Sequence, residues 1–443
     1  MKKNMILVAV AAMLMMIAMP SCNSEDEREK VENEEPEQNQ DEDPEQDPEQ
    51  DPNQNNEFKP IQLSNAQRQL VNHNNDFAFN LFRMATVGDG AGPCDGEPSS
   101  IILSPISVTY ALGMLNNGAA GETQEQINNV LGFGDTGADG INTFCQKMLT
   151  EAPALDKLTK VMIANNIYMN KGNVLTQDFV EKANEFYNVQ PETRDFADGK
   201  TREVINQWAS DHTEGMIPEV LNEGEFEPSA VSYLLNAIYF KGMWSEKFDK
   251  SETKDEVFEG QQKKVPMMHQ EYEFNYTEND LCQALRLPYG NGAYSMTILL
   301  PRENVSVEQV ISSLSAENWW QYQYMGTAIV DVKLPRFESN TDISLTGIMM
   351  QLGMTKAFTD WAEFPYFCQV DTKIDLIKQV ARIKLDEEGS EAAAVTVIGM
   401  FETTALEPQE PRHVQFHATR PFIYVISEQS TGAIFFIGKY IGD

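Results

Sequence analysis

The sequence predicts an α+β fold, and two observations carry this prediction. In the first half of the chain, apolar residues recur mostly at three- and four-residue spacing, which is typical of helices. In the second half, alternating or β-branched apolar runs dominate, and these are typical of strands. The two patterns do not alternate as βαβ units do, so an open parallel sheet is not expected.

The elements follow from these patterns in chain order. Four segments have helical spacing: Asn74–Thr86, Pro105–Asn116, Thr123–Val130 and Leu175–Tyr187. Six have the character of strands: Tyr233–Phe240, Ser295–Leu300, Ile329–Leu334, Ile374–Leu385, Phe422–Ser427 and Ile434–Gly438. Residues 57–443 are long for a single domain, but one domain of this length is within the range that some folds reach.

Residues 1–21 have the features of an export signal. Two lysines precede the apolar run Met5–Met19, which is too short to span a bilayer comfortably. Ser21 before Cys22 resembles the cleavage point of a bacterial lipoprotein signal, in which Cys22 becomes the lipidated first residue. Pro20 departs from that pattern, and the alternative is ordinary secretion with Cys22 removed or unmodified.

Residues 22–56 are predicted to be a disordered tether. They are rich in Asp, Glu, Gln, Asn and Pro and nearly free of apolar side chains, so they cannot form a core and should stay extended. We expect an exported, lipid-anchored protein at the outer membrane or cell surface, facing outward, with residues 22–56 holding the domain away from the membrane. The alternative for residues 22–56 is a solvated spacer without a function of its own. The net charge of −35 disfavours nucleic acid and anionic membranes, leaving the lipid anchor as the only membrane contact.

Signatures of enzymes and metal sites are thin. The chain has no nucleophile elbow, phosphate-binding glycine loop, Cys-x-x-Cys or His-Glu-x-x-His motif, so no enzyme, cofactor or metal is expected. His413 and His417 are four residues apart, but the residues between them suggest a strand, which disfavours a metal site. Four cysteines beyond the signal, at widely separated positions, could form disulfides, although buried free thiols are favoured: Cys94, Cys145, Cys282 and Cys368.

The segment Lys384–Thr404 combines features of a loop and of a strand. Gly389 permits a turn, three alanines occupy 392–394, and a β-branched run follows at Val395–Ile398. No proline occurs before Pro408, so the amides after the glycine can all donate to a sheet. From the residues alone, an interior strand and a Gly/Ala-rich linker or short helix remain alternatives.

The motif EEGSEAAA at residues 387–394 resembles the hinge of the serpin family of protease inhibitors. Nine more stretches resemble the family in the same order: Ser104–Thr123, Ile205–Ile217, Leu234–Phe248, Val265–Gln270, Leu287–Pro301, Leu334–Phe337, Leu352–Phe358, Arg420–Ile426 and Thr431–Lys439. The resemblance extends from about Asn74 to the C-terminus. It implies three β-sheets, eight or nine helices and an exposed reactive centre loop near the C-terminus.

The resemblance implies an inhibitor that acts as a suicide substrate. A protease cleaves the loop, and the loop then inserts as a strand into the main sheet and traps the acylated protease. Insertion must start at the hinge, whose residues are Glu387, Glu388, Gly389, Ser390, Glu391, Ala392, Ala393 and Ala394. Between Gly389 and Ala394 only Glu391 is charged, and glutamate at that place belongs to the family's inhibitory pattern. The alternative is a non-inhibitory surface binding protein on the serpin fold, cleaved as a plain substrate.

Counting 17 residues from Glu387 in the family's manner assigns the reactive bond to Thr403–Thr404. A small β-branched residue there suits elastase-like serine proteases. Three neighbouring residues would suit chymotrypsin-like or glutamate-specific enzymes instead: Met400, Phe401 and Glu402. Trypsin-like targets are not expected because no Lys or Arg lies between Lys384 and Arg412. Papain-like cysteine proteases are further candidate partners, and the inhibitor is expected to be a monomer.

Five further residues correspond by position to the region where the main sheet opens. Trp244 matches a tryptophan near the start of insertion, and Ser104, Ser107 and Asn236 match a polar cluster beneath the central strands. The family usually adds a histidine to that cluster, and Gln379 occupies its position here. Glutamine can donate and accept hydrogen bonds but does not titrate near neutral pH, so the opening should depend less on pH.

Overall fold

The computed structural model describes residues 56–87, 99–260, 264–390 and 412–443. These ranges contain nine α-helices: α1 Asn65–Val87, α2 Pro105–Asn116, α3 Gly121–Leu131, α4 Gly137–Glu151, α5 Gln177–Tyr187, α6 Thr201–His212, α7 Val307–Ser313, α8 Ala316–Trp319 and α9 Thr346–Gln351. None of the helices in the described ranges is both long and apolar enough to cross a bilayer.

The same ranges contain fifteen strands: β1 Ile101–Leu103, β2 Thr159–Asn170, β3 Glu192–Arg194, β4 Ser232–Met243, β5 Lys254–Val257, β6 Lys264–Glu278, β7 Cys282–Tyr289, β8 Tyr294–Pro301, β9 Gly326–Pro335, β10 Phe337–Ser344, β11 Leu376–Asp386, β12 Gly389–Ser390, β13 His413–His417, β14 Phe422–Glu428 and β15 Ile434–Tyr440. Strands dominate the second half of the chain and helices the first, as the sequence predicts.

A six-stranded sheet has the order β10-β11-β12-β4-β2-β3. β4 lies near its centre and pairs antiparallel with β2 from Ser232 to Gly242. Almost every residue of β4 is buried because both faces of the sheet are covered, which explains its continuous apolar sequence. The sheet therefore places two buried strands, β4 and β11, next to the hinge.

The remaining strands form a nine-stranded sheet, with the order β1-β15-β14-β8-β7-β6-β9-β13 and β5 paired to β6. The family resemblance predicts three sheets in total, whereas hydrogen bonding in the described residues joins the second and third. The reason is the length of β6: residues Asn275–Glu278 pair with β7, while Met267–Tyr276 pair with β9. Strand β6 therefore belongs to both the second and the third of the predicted sheets.

Helix α2 connects the core to the central strands. Pro105 occupies its first turn, where a missing amide hydrogen costs nothing. All twelve residues of α2 are buried, and the helix contacts α1, α4, β4 and β15. A helix that is buried on every side needs apolar or small residues all round, which its sequence supplies. Ser104, just before α2, is consequently held beneath the six-stranded sheet.

Three of the predicted helices fall within α1, α2 and α3, and the fourth was predicted to begin two residues before α5. The six predicted strands coincide with β4, β8, β9, β11, β14 and β15 to within a few residues. Residues 413–417 form strand β13, as predicted. Cys145, Cys282 and Cys368 are free, buried thiols, as favoured from their spacing, and Cys94 lies outside the described residues. Burial raises the pKa of the Cys145 thiol.

Candidate functional site

The hinge begins where β4 and β11 separate. From Leu376 opposite Tyr233 to Arg382 opposite Tyr239, the two strands pair directly and in parallel, and we call this pairing the seam. Beyond the seam, β12 lies between the two strands and is antiparallel to both. Two residues of the hinge are therefore already incorporated in the sheet.

Glycine suits position 389 in β12 for two reasons, its backbone conformation and its close approach to β4. Its φ is +143°, a value that residues with a side chain rarely adopt. A Cβ atom at this position would lie 2.2 Å from the carbonyl oxygen of Gly242 and 2.7 Å from Cα of Met243. The absence of a side chain thus allows the hinge backbone to approach β4 closely.

Backbone hydrogen bonds hold the turn between β11 and β12 against the segment that follows β4. The amide of Trp244 donates to Glu388 O at 2.9 Å, and the amide of Phe248 donates to Glu387 O at 3.0 Å. The indole Nε1 of Trp244 also donates to Asp386 O at 3.0 Å. Trp244 is thereby bonded to both sides of the turn.

Tyr289 links Trp244 to the hinge. The two rings are stacked, with centroids 4.4 Å apart and an interplanar angle of 11°. The hydroxyl of Tyr289 lies 2.9 Å from Oγ of Ser390, and both residues are fully buried. The Ser390 hydroxyl therefore has a polar partner in an otherwise apolar environment, as a buried hydroxyl requires.

Two acidic hinge residues make different contacts. Glu387 is only 2% exposed; its Oε1 accepts from Oγ1 of Thr253 at 2.6 Å, and Nη1 of Arg336 lies 3.6 Å from Oε2. Glu388 forms ion pairs with Lys247 at 2.8 Å and with Lys250 at 3.0 Å. These two lysines lower the pKa of the Glu388 carboxyl. Both carboxylates thus fasten the turn to neighbouring segments.

A buried polar cluster crosses the seam. Gln379 on β11 and Asn236 on β4 are register partners, and Gln379 Nε2 donates to Asn236 Oδ1 at 2.8 Å. Ser107 Oγ donates to the same Asn236 oxygen at 2.8 Å. Asn236 Nδ2 donates to Asn165 Oδ1 on β2 at 2.5 Å. The cluster therefore spans three adjacent strands and helix α2.

Ser104 contributes its backbone to this cluster. Its amide donates to Gln379 Oε1 at 2.9 Å, and its carbonyl accepts from Gln379 Nε2 at 3.0 Å. The Ser104 hydroxyl is buried and has no hydrogen-bond partner among the described residues. Of the residues predicted for sheet opening, Ser104, Ser107, Asn236 and Gln379 lie together, whereas Trp244 lies beyond the end of β4, beside the hinge.

Comparison with known proteins assigns the family. The family described as "Serpin (serine protease inhibitor)" matches residues 72–442, which is nearly the whole domain. This chain is a serpin.

Known serpins resemble it over most of its length. Serpin B6 of Pongo abelii is 32% identical over 384 residues, covering 84% of this chain and 98% of the relative. The leukocyte elastase inhibitor of Equus caballus is 33% identical over 388 residues, covering 84% and 99%. The crystal structure of the thermophilic serpin tengpin in its native state superposes with a TM-score of 0.76 and 27% identity, covering 87% and 97%.

Several predicted site residues of this serpin lie outside the described ranges. They are the rest of the hinge, the reactive-bond candidates and the lipidation site: Glu391, Ala392, Ala393, Ala394, Met400, Phe401, Glu402, Thr403, Thr404 and Cys22. For these residues the assignments stay predictions.

Sequence reasoning missed the residues that hold the hinge turn of this serpin: Lys247, Lys250, Thr253, Tyr289 and Arg336. Each is separated from the hinge by a long stretch of chain, so its spacing gives no signal. Only the two lysines could have been anticipated in part. Two successive glutamates in a turn that packs against the domain indicate that cations lie nearby, although not which ones.

Proposed function

We propose that this serpin inhibits serine proteases as a suicide substrate whose cleaved loop enters the seam. The observation that carries the proposal is β12: Gly389 and Ser390 already pair with both β4 and β11, and the chain continues directly into the loop. Insertion would extend a strand that exists rather than start a new one.

The energetic argument concerns the hydrogen bonds of the seam. On the edges that face each other, β4 and β11 are joined by one parallel ladder from Tyr233 to Tyr239 of β4, while their outer edges pair with β2 and β10. An inserted strand would replace this single parallel ladder by two antiparallel ladders, which are slightly more stable per residue. Each added hydrogen bond contributes about 0.5–1.5 kcal/mol net. The uninserted form is then kinetically trapped rather than the most stable state.

The chemistry belongs to the target protease. Its serine hydroxyl adds to the carbonyl carbon of Thr403, the bond to Thr404 breaks, and the new amino terminus leaves with a proton from the protease's histidine. An ester then joins Thr403 to the protease. Water would normally hydrolyse this ester, but insertion pulls the acylated residue away and distorts an active site that tolerates little displacement.

Elastase-like and chymotrypsin-like proteases are the proposed targets. Thr403 is small and β-branched, and the alternatives Met400, Phe401 and Glu402 suit chymotrypsin-like or glutamate-specific enzymes. The relative named leukocyte elastase inhibitor supports an elastase-like target. Trypsin-like enzymes are not proposed as targets, because residues 385–411 contain no Lys or Arg. Papain-like cysteine proteases form comparable acyl intermediates and are proposed as secondary targets.

We further propose that the inhibitor acts outside a bacterial cell as a monomer on a lipid anchor. The support is the sequence: an export signal at 1–21, Cys22 in the lipidation position, and an acidic tether at 22–56 before the domain at 57–443. The location would be the outer membrane or cell surface.

The test is to incubate residues 23–443 with neutrophil elastase, followed by denaturing electrophoresis and mass spectrometry. Trapping predicts a denaturant-resistant band at the summed mass and a released peptide that starts at Thr404. The competing hypothesis, a binding protein cleaved as a plain substrate, predicts cleaved chain and fully active elastase. If chymotrypsin-like and glutamate-specific proteases also gave only cleavage, the inhibitor proposal would be wrong.

A further inference from the structure

Arg420, between β13 and β14, is a half-buried cation without a counter-ion. Its Nε and Nη2 both donate to the carbonyl oxygen of Pro301, at 2.9 and 2.6 Å. Burial lowers the pKa of Arg420, and Glu259 and Glu303 act on it only from longer range. No carboxylate in the described part of the chain lies within ion-pairing distance of it. Burying an unpaired charge is costly, so this arrangement calls for an anion.

Arg420 lines an open cleft of about 410 Å³. The other lining residues are Gln283, Arg302, Glu303, Gln415 and His417. All six are polar or charged, so the cleft does not suit an apolar ligand.

Arg302, the second arginine of the cleft, is held in place by two hydrogen bonds. Arg302 Nε donates to Asn279 O at 3.1 Å, and its Nη2 donates to Glu278 Oε2 at 2.9 Å. These bonds, like those of Arg420 to Pro301, use the Nε and Nη2 groups. Within the described ranges, Nη1 of both arginines has no protein acceptor. Both arginines line the cleft, and each keeps guanidinium donors of the kind that bind oxyanions.

The charges around the cleft leave it cationic. Glu303 is the only carboxylate among its described lining residues, and it is exposed. Glu278 offsets part of the charge of Arg302, and His417 Nε2 contacts Asp331 at 3.0 Å. Arg420 has no carboxylate of the described residues within ion-pairing distance. The chain as a whole has a net charge of −35, so a cleft with a positive charge is unusual on its surface.

We propose that this cleft binds a small tetrahedral oxyanion, sulfate or phosphate, between Arg302 and Arg420. Gln415 and His417 belong to β13, which pairs with β9 at the end of the sheet. Arg302 follows β8 and Arg420 precedes β14, so a bound anion joins this edge strand to the centre of the nine-stranded sheet. Anion binding thereby stabilises the attachment of β13, the strand that follows residues 391–411 in the chain.

The experiment measures the melting temperature of residues 23–443 against sulfate concentration, with ionic strength held constant by sodium chloride. A ligand of the folded state gives a saturable rise in Tm. Gln415→Glu adds a negative charge at an exposed rim position, and Arg302→Gln removes a donor. We expect each to weaken the apparent affinity at least about tenfold. Gln351→Glu, at an exposed position on α9, is the charge-matched control and should keep the wild-type affinity.

Two results would overturn the proposal. A linear rise in Tm, equal in all four proteins, is what general exclusion of sulfate from protein surfaces produces. A saturable rise that Gln415→Glu and Arg302→Gln leave unchanged would mean that the anion binds elsewhere. Phosphate in place of sulfate should give the same saturation and the same loss in the two cleft variants.

Discussion

Gln379 and Asn236 form a hydrogen bond of 2.8 Å across the seam, between the two strands that the proposed loop insertion would have to separate. Both side chains are buried, and Gln379 also bonds the amide and the carbonyl of Ser104. This hydrogen bond stabilises the uninserted form, and it has to break before another strand can enter between β4 and β11. The stability of the seam and the speed of insertion are therefore coupled at these two residues.

Gln379→Ala should destabilise the protein by about 1–3 kcal/mol, because it leaves the buried amide of Ser104 without its acceptor and Asn236 without its partner across the seam. Denaturant unfolding followed by intrinsic fluorescence measures this loss. Gln351→Ala on the exposed surface of α9 is the control and should change stability little. Equal stability of the two variants would show that the cluster does not brace the seam.

Gly389→Ala should impair both the native fold and inhibition, because its Cβ would collide with the carbonyl oxygen of Gly242. A strained backbone of this kind costs about 1–3 kcal/mol. We expect more inhibitor to be cleaved for each protease trapped, measured as the stoichiometry of inhibition. Gly326→Ala is the matched control, since a Cβ there meets nothing within 4 Å. The prediction fails if both substitutions behave alike.

Ser390→Arg should convert the inhibitor into a substrate. Ser390 is fully buried beside Tyr289, and an arginine there would bring an unpaired charge into the sheet at a cost of several kcal/mol. Strand β12 would be disrupted before cleavage, so insertion would have no existing strand to extend and the protease would complete hydrolysis. Ser390→Ala keeps a small side chain and should still trap the protease. Undiminished trapping by Ser390→Arg would argue against insertion between β4 and β11.

Glu278 should make stability depend on pH in acid. It accepts from Tyr276, Arg302 and Arg412, and the Tyr276 and arginine contacts lower its pKa from 4.5 to about 2. A depressed carboxyl pKa stabilises the fold above pH 4.5, and the contribution is lost as the pH falls toward 2.

Glu278→Gln should therefore cost about 1 kcal/mol at pH 7, the pairs being partly solvated and screened. The difference from wild type should shrink toward pH 2, as urea unfolding across this range would measure. Glu303→Gln, which replaces an exposed carboxylate, should behave like wild type at both ends. A difference that stays constant with pH would contradict the assigned pairing.

Thr403→Arg should redirect the inhibitor to trypsin-like proteases, because an arginine before the scissile bond supplies the cation that their specificity pocket pairs with. We expect the association rate constant with trypsin to rise roughly a hundredfold or more. Progress-curve kinetics measure it, and Thr403→Gln is a control of similar polarity without the charge. If trypsin cleaves the variant at Arg412 alone, the assignment of the reactive bond is wrong.

Local patterns predicted much of the fold. Helix α2 has the predicted bounds because proline in the first turn and the spacing of its apolar residues are properties of neighbouring positions. Strand β2 was missed, since Val161 and Ile163 are only half-buried and two asparagines interrupt the pattern. Helix α4, with glycines in its first turn, gave no clear start. The joining of two sheets through β6 depends on which strands lie beside it, and that is not a local property.

The candidate site was predictable only as far as the hinge motif and the family resemblance reach. Gln379 was predicted in the polar cluster, but its bonds to the Ser104 backbone were not, because backbone partners carry no sequence signal. The ion pairs of Glu388 with Lys247 and Lys250 join segments more than a hundred residues apart. Such pairs follow from the strand order, which a single sequence does not determine.

Strand β12, only two residues long, changes the kinetics that the proposed mechanism requires. Starting an ordered structure is the slow event, since several dihedral angles are fixed before the first hydrogen bond offsets their entropy, whereas growth adds bonds residue by residue. In this protein, folding itself completes the nucleus at Gly389 and Ser390. After cleavage, the loop would only have to extend this existing strand. Extension of the strand, without a slow starting step, would then compete with hydrolysis of the acyl-enzyme.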